Sequence, residues 1–492
     1  MSSQSLYWYD YETFGIDPRS DRIAQFAGIR TDMDFNIIDK PIDIYCRATD
    51  DILPNPEACL ITGITPQKTL KNGLIEAEFI ARVEQQFSTP NTCVVGFNNI
   101  RFDDEFTRYS LYRNFFDPYA REWQNGCSRW DIIDLVRITR ALRPDGIEWP
   151  VDDNGATSNR LELITRANGI SHEAAHDALS DVYATIAVAK LIKHKQPRLY
   201  NFVFEHRGKQ KLSQLLNLYQ PQAVLHTSGM YPGDVCNTAM IYPLAQHPSN
   251  KNGIIVYDLR YSPQDLIHLS ADEIIERMYT AADQLEEGKK RIALKTVHIN
   301  KCPVITPLNT LDEASTQRIG INREQHLQHL EMLKSALLNS DMRLKQKLNQ
   351  VFSHNPFPEE SDPDKSLYSG GFFCPDDRQR MNDLRELSEN ELTGVNATTA
   401  DFNFKDKRIP EMLFRYRARN YPAGLNEAER KKWNEYRQKK FTGADDNKVF
   451  DIKSFNQILS QQLENPDIDE NKKKVLRDLQ EWRDTVTEGL SL

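Results

Sequence analysis

The chain has 492 residues, 39% of them hydrophobic and 27% charged, which is enough for roughly three domains of about 100–200 residues each. Its 10% aromatic content excludes disorder as the dominant state, and no apolar run approaches the roughly 18 residues that a spanning helix needs, which excludes membrane integration by helices. A net charge of −9 counts against a protein that coats nucleic acid, although whole-chain charge governs long-range steering and not what a local groove binds. Seven cysteines without a CxxC pair predict neither a disulfide framework nor a thiolate zinc site. The opening Met-Ser-Ser-Gln-Ser has no basic-then-apolar character, so no secretory signal and a cytoplasmic location are expected.

Residues 6–13 are dense in aromatics and free of Gly and Pro, the composition of a strand. Two more strands are predicted at 22–31 and 37–47. A helix follows near 77–87, where Phe79, Val83 and Phe87 recur at helical spacing. Residues 93–97 read as a short buried strand, and helical patterns come next near 103–115, 130–142, 160–168 and 177–193. Strands first, then strand alternating with helix, predict an α/β layer domain ending near 195. Gln196-Pro197-Arg198 is the first candidate boundary. From about 200 to 350 the pattern is mixed, with strand-like pieces at 222–227, 253–259 and 294–299. Residues 353–366 carry three prolines and almost no apolar residues, a second boundary. From 376 to 492 the chain is polar and helical in pattern.

Asp10 and Glu12 sit two apart in a predicted strand and so project from one face. Like charges held side by side are unfavourable unless a cation joins them, as in Mg²⁺ or Mn²⁺ sites. The bland alternative is a solvated strand face, which Leu6 and Trp8 on the same side argue against. Asp103 and Asp104 follow the 93–97 strand, where a carboxylate can line a cleft, or can simply favour a helix N-terminus. In a third element, His176 stands before a further acid, Asp181, at the start of an apolar helix. Its ordinary pKa of about 6.5 suits proton transfer near neutrality. The plainer reading has Asp177 capping that helix and His176 on the surface. His172, Glu173 and His176 also match the HExxH pattern of zinc peptidases, which requires both histidines on one helix face.

In chain order, Asp10, Glu12, Asp103, His176 and Asp181 resemble the DEDD exonuclease pattern in its histidine subclass, over the first ~190 residues. Longer stretches resemble bacterial exodeoxyribonuclease I: Leu6-Tyr7-Trp8-Tyr9-Asp10-Tyr11-Glu12-Thr13-Phe14-Gly15, Leu60-Ile61-Thr62-Gly63-Ile64-Thr65-Pro66, Arg101-Phe102-Asp103-Asp104-Glu105, Ala141-Leu142-Arg143-Pro144-Asp145-Gly146-Ile147, His298-Ile299-Asn300-Lys301-Cys302-Pro303 and Phe414-Arg415-Tyr416-Arg417-Ala418-Arg419-Asn420. The resemblance implies a ribonuclease H-like exonuclease domain with a mixed sheet over 1–195, an SH3-like α+β middle domain over 196–352 and a helical C-terminal domain over 353–492. It implies processive 3′→5′ hydrolysis of single-stranded DNA to 5′-mononucleotides, in repair and recombination, with two Mg²⁺ ions for which Mn²⁺ can substitute. By that resemblance Asp10 bridges both ions, Glu12 and Asp181 complete one site, Asp103 helps hold the second, and His176 takes a proton from the attacking water. Glu12, Arg160, Arg108, Tyr119, Trp123, Arg137, Lys209, Asn252, Lys295 and Asn300 are the implied substrate contacts. Arg143 is the implied receptor for the acidic C-terminal tail of single-stranded DNA-binding protein, and the protein is expected to be a monomer. The alternatives are a non-catalytic scaffold that binds strands or partner tails, and the HExxH peptidase.

Composition points the same way. Residues 101–143 hold eight arginines and no lysine, interleaved with Tyr109, Tyr112, Tyr119, Trp123 and Trp130, which is the make-up of a single-strand track. The alternative, surface bridges to acids such as Asp131 and Asp134, is expected for about half of the arginines. Residues 404–421 form a second basic-aromatic patch, read either as a strand contact or as a helix with aromatics inside and arginines outside.

Overall fold

Tyrosine, tryptophan and other strand-favouring residues build a nine-residue β1 (Ser5–Thr13), the centre of the first of two five-stranded sheets. The computed structural model describes residues 4–172, 176–339, 343–354, 360–392, 402–444 and 450–492. β1 pairs antiparallel with β2 (Ile23–Thr31), which pairs antiparallel with β3 (Ile42–Tyr45). On its other side β1 runs parallel to β4 (Thr92–Gly96), and β5 (Ser128–Asp131) completes the order β3-β2-β1-β4-β5. The sheet is mixed, as expected. The predicted 37–47 strand is shorter because Pro41 interrupts it, leaving one bridge at Ile37.

The chain divides into two compact units, Met1–Arg129 with Glu173–Tyr183 and Glu359–Leu492, and Trp130–His172 with Ala184–Pro358. This division does not follow the boundary expected at 195, because the Ala178–Lys195 helix starts in the first unit and ends in the second. In the second unit β6 (Val224–Thr227), β7 (Thr238–Gln246), β8 (Gly253–Asp258), β9 (Leu294–His298) and β10 (Val304–Pro307) form an antiparallel sheet in the order β10-β6-β7-β8-β9. Ile241, Val256, Val297 and Ile305 are among the residues of its core. The sequence pattern missed β7, whose Pro243 sits at a register shift, and β10, only four residues long and ending in Pro307.

In the first unit Tyr7, Tyr9 and Tyr11 of β1 face a core with Phe26, Phe79 and Phe87. The Tyr9 and Phe87 ring centroids lie 4.8 Å apart. A second core joins Phe14, Ala24 and Leu53 to Phe455, Leu459, Leu476 and Trp482 of the C-terminal helices. Between such cores runs a buried ion network. Asp51, fully buried, receives Arg22 at 3.1 Å, Lys440 at 3.2 Å and Arg419 at 3.3 Å. Asp364 receives Arg415 at 3.2 Å and also Arg419. Arg417 pairs with Glu429 at 2.7 Å.

This network corrects both readings of the 404–421 patch. Arg415, Arg417 and Arg419 of the Ile409–Asn420 helix are buried inside the unit, neither on a strand-binding surface nor on the helix exterior. Carboxylates from distant segments neutralise them, which periodicity within one helix cannot reveal. It also changes the meaning of the 353–366 stretch. Asp362 and Asp364, read as part of a polar boundary, are ion partners of Arg415.

Burial by itself would raise the Asp51 carboxyl, but Lys440, Arg22 and Arg419 outweigh it and hold it well below the usual range. Asp364 is likewise lowered by Arg419 and Arg415 against the effect of burial. Depressed carboxyl pKa values contribute stability above the unfolded value of about 4, and that stability is lost as pH falls through the folded values. Acid unfolding is therefore expected to set in below about pH 4. Asp51→Asn, which leaves three buried cations short of a counter-charge, should cost about 3–5 kcal/mol in denaturant titrations at pH 7. A loss under about 1 kcal/mol would contradict the assigned role of the network.

Candidate active site

The last parallel pair between β1 and β4 is Trp8 with Val95, so Asp10 and Glu12 lie beyond it on the projecting end of β1. This is the carboxyl end of both strands, where α/β sheets open. The chain leaves β4 through Gly96, at which a Cβ would lie 2.7 Å from the Asn99 Cβ and 3.2 Å from the Tyr9 carbonyl oxygen. Only glycine allows that approach. Asn98 then adopts a left-handed conformation with φ 65°, and Asp103 opens the Asp103–Arg113 helix.

Two hydrogen bonds dock this helix on β1. The Tyr9 hydroxyl donates to Asp104 Oδ1 at 2.8 Å, and the Tyr11 and Thr107 hydroxyls meet at 3.0 Å. The adjacent acids have opposite tasks. Asp104 is locked between buried Arg121 at 2.9 Å and Arg129 at 2.6 Å; burial opposes its ionisation, but Arg121 and Arg129 lower its pKa below the usual range. Asp103, 4% exposed, adds its negative charge to the surroundings of Asp10.

Asp181, in the first turn of the Ala178–Lys195 helix, completes the ledge. Asp10, Glu12 and Asp181 each offer a carboxylate oxygen, and these oxygens all lie within 4.8 Å of one another. The Asp10 carboxyl is pushed well above its ordinary value, first by burial and then by Asp103, Asp181 and Asp177. Glu12 is pushed up to about 9 by burial, Asp10, Asp181 and Asp177. Oxygen donors crowded in this way fit a hard divalent cation, whose charge removes the repulsion that raises them.

Asp177 is the group that sequence reasoning left outside the site. It caps the helix, accepting from the Ser180 N–H at 3.1 Å, and its charge also acts on Asp10 and Glu12. The signal was its place one helical turn before Asp181. His176 is exposed at φ 67° in the preceding turn. The HExxH reading fails on this geometry, since His176 and His172 are both non-helical and cannot share a helix face; Glu173 lies outside the described residues. His172 Nδ1 is 3.2 Å from the Thr165 hydroxyl.

The expected arginine track is largely internal. Arg108 pairs with Glu105 at 2.6 Å and Glu122 at 2.8 Å, Arg113 with Glu76 at 2.7 Å, and Arg137 with Asp134 at 2.7 Å. With Arg121 and Arg129 on Asp104, ion pairing exceeds the expected half. Trp123 is 66% exposed, and Tyr119 is half-buried with Arg108 over its ring at 5.5 Å. In the second unit, Arg160 and Lys209 are exposed at the starts of the Leu161–Ala167 and Lys209–Leu215 helices. Asn252 is half-buried before β8, Lys295 lies on β9 with its ammonium 4.0 Å from the Tyr231 ring centre, and Asn300 is exposed after β9. Arg143 donates to the Thr310 carbonyl at 2.8 Å and pairs with Asp312 at 3.2 Å.

A carboxylate ledge at the open end of a mixed sheet defines a metal-dependent exonuclease domain, and residues 7–189 match the exonuclease family model. Residues 207–354 match the exonuclease I SH3-like domain and residues 361–486 the exonuclease I C-terminal domain. The chain is 48% identical over 438 residues to exodeoxyribonuclease I of Haemophilus influenzae, covering 89% of this chain and 90% of that protein. It superposes on the moderately thermophilic exonuclease I of Methylocaldum szegediense with a TM-score of 0.90 at 49% identity, covering 98% and 99% of the two chains. For the zinc-bound form of the E. coli exonuclease I complex with single-stranded DNA the TM-score is 0.91 at 42% identity, covering 99% and 100%. The chain belongs to the exodeoxyribonuclease I family.

Because protons and cations compete for raised carboxylates, divalent-metal binding should release protons and tighten as pH rises from 6.5 to 8.5. Calorimetric titration in buffers of different ionisation enthalpy measures this. Binding that neither releases protons nor varies over that range would contradict the assigned electrostatics.

Proposed function

We propose that the chain is a processive 3′→5′ exonuclease that degrades single-stranded DNA to 5′-mononucleotides in DNA repair and recombination, using two Mg²⁺ ions for which Mn²⁺ can substitute. The observation that carries this reading is the convergence of Asp10, Glu12 and Asp181 on one ledge, with Asp103 acting on Asp10. The ions, when bound, supply charge neutralisation of the scissile phosphate and of the departing 3′ oxygen. Asp10 would contribute to holding both ions, Glu12 and Asp181 would complete one site, and Asp103 would help hold the second.

His176 is the proton acceptor for the attacking water. Its exposed turn beside the capped helix start supports this, because the imidazole can reach water while Asp177 fixes the backbone after it. Glu12 and Arg160 hold the 3′-terminal nucleotide, and exposed Trp123 with Tyr119 stacks bases behind it. Arg108, Arg137, Lys209, Asn252, Lys295 and Asn300 line the strand's path. For Arg108 and Arg137 the ion pairs described above set orientation as much as they offer charge.

The functional division is three domains, 1–195, 196–352 and 353–492, which the three family matches support. The protein works as a cytoplasmic monomer. Its partner is the C-terminal tail of single-stranded DNA-binding protein, whose carboxylates suit Arg143. Among the described residues no helix is long and apolar enough to cross a membrane.

Digestion of 5′-labelled single-stranded DNA, duplex DNA and RNA, with Mg²⁺ and then with chelator, tests the activity. Asp10→Ala should abolish cleavage and leave strand binding largely intact; full activity would overturn the metal assignment. His176→Ala should lower turnover by about 10²–10⁴, and an unchanged rate would remove it from proton transfer.

A further inference from the structure

Between β6 and β7 the chain of the second unit turns through Ser228-Gly229-Met230. Gly229 is exposed and its φ lies outside the left-handed region, so the backbone itself does not require glycine there. A side chain from another element does. A Cβ at position 229 would lie 2.7 Å from Nη2, 2.9 Å from Cζ and 3.1 Å from Nη1 of Arg137, on the Ile132–Leu142 helix. Three such nearly equal distances put that Cβ over the flat face of the guanidinium, well inside the roughly 3.5–4 Å of an ordinary contact. The bare glycine is therefore the floor on which the guanidinium lies.

A floor against the face leaves the N–H edges of the guanidinium free to be aimed. Nη1 donates to Asp134 Oδ1 at 2.7 Å, one turn earlier on the same helix. Among the described residues Nη2 meets no acceptor and, unlike the sealed Nε, it keeps accessible surface. The side chain as a whole is 14% exposed, so an acceptor arriving from solvent reaches that edge. The floor cannot withdraw. The Ser228 N–H donates to the Asn237 carbonyl at 2.9 Å, the Tyr231 N–H to the Ser228 carbonyl at 3.0 Å, and Asn237 Nδ2 to the Tyr231 carbonyl at 2.8 Å. Asn237 Oδ1 in turn accepts from Asn159 at 3.1 Å, next to Arg160. One pinned loop thus supports Arg137 and steadies the segment that carries Arg160.

We propose that Gly229 is a positioning residue for the DNA strand: its bare Cα holds the Arg137 guanidinium flat and turns the Nη2 edge toward a backbone phosphate. The proposal rests on the reading of Arg137 as a strand contact. A methyl group at position 229 lifts the guanidinium off its floor. The atoms in its way are the tip of a flexible side chain, so the loop and the fold survive while the aim of the phosphate contact is lost.

The test is fluorescence anisotropy of a labelled single-stranded oligothymidylate, bound by the full chain in chelator so that nothing is cleaved, from about 50 to 200 mM salt. Arg137→Met removes one phosphate contact, so it should reduce the slope of log K against log salt by about 0.7 and weaken binding about fivefold near 0.1 M salt. Gly229→Ala should show the same two losses at an unchanged melting temperature. The double variant should bind no more weakly than Arg137→Met alone, because both substitutions remove one interaction. Gly229→Ala with the parental salt slope, or with a loss that adds to that of Arg137→Met, would overturn the proposal. Arg137→Met with the parental affinity and slope would instead overturn the strand-contact reading beneath it.

Discussion

Like-charge crowding at the end of β1 is the constraint around which the first unit is organised. Carboxylate oxygens of Asp10, Glu12 and Asp181 within 4.8 Å of one another repel, and burial deepens the cost by removing water. Such an arrangement persists only if the backbone holding it is over-determined. Here the opposite face of β1 supplies the hold. Tyr7, Tyr9 and Tyr11 lie in an aromatic core, and the hydroxyls of Tyr9 and Tyr11 reach the helix that delivers Asp103. The same strand thus presents its apolar, hydrogen-bonded side to the core and its strained, charged side to the reaction.

Neighbouring acids with opposite fates express the same logic. Asp104 is neutralised by two buried arginines and serves as an anchor, whereas Asp103, one residue earlier, contributes charge to the ledge. Most arginines of the 101–143 stretch follow Asp104 and not Asp103, pairing internally with Glu76, Asp104, Glu105, Glu122 or Asp134. Farther along the chain Arg415, Arg417 and Arg419 do likewise. Arginine suits this task because its planar fork can engage two or three acceptors while keeping its charge. Trp123 is left as exposed aromatic surface, the kind of flat ring on which bases can stack.

Much of this was legible in the sequence where one physical rule dominates. Period-two alternation placed Asp10 and Glu12 on one face, and the boundaries of β1, β2, β4 and of the Glu76–Phe87 and Asp103–Arg113 helices fell within a residue or two, whereas the Pro56–Thr62 and Pro66–Asn72 helices and β5 were not read. The five separated catalytic candidates were read from their order and their resemblance to a family; proximity is not encoded in spacing. Illegible were features set by partners far along the chain. Asp51, Asp362 and Asp364 look like surface acids until Arg22, Arg415, Arg419 and Lys440 are brought to them. Strand β7 was hidden by its proline, and β3 was overextended across another.

The central claim is that the ledge stores repulsion that a divalent cation relieves. Thermal unfolding of Glu12→Gln beside the unmodified protein, each with chelator and with saturating Mg²⁺, measures this directly. Removing a carboxyl whose ionisation the fold penalises should raise the melting temperature of the metal-free protein at neutral pH, by about 2–4 °C per kcal/mol, and should largely erase the further rise produced by Mg²⁺. A metal-free variant less stable than its parent, or one that keeps the whole Mg²⁺ increment, would contradict the claim.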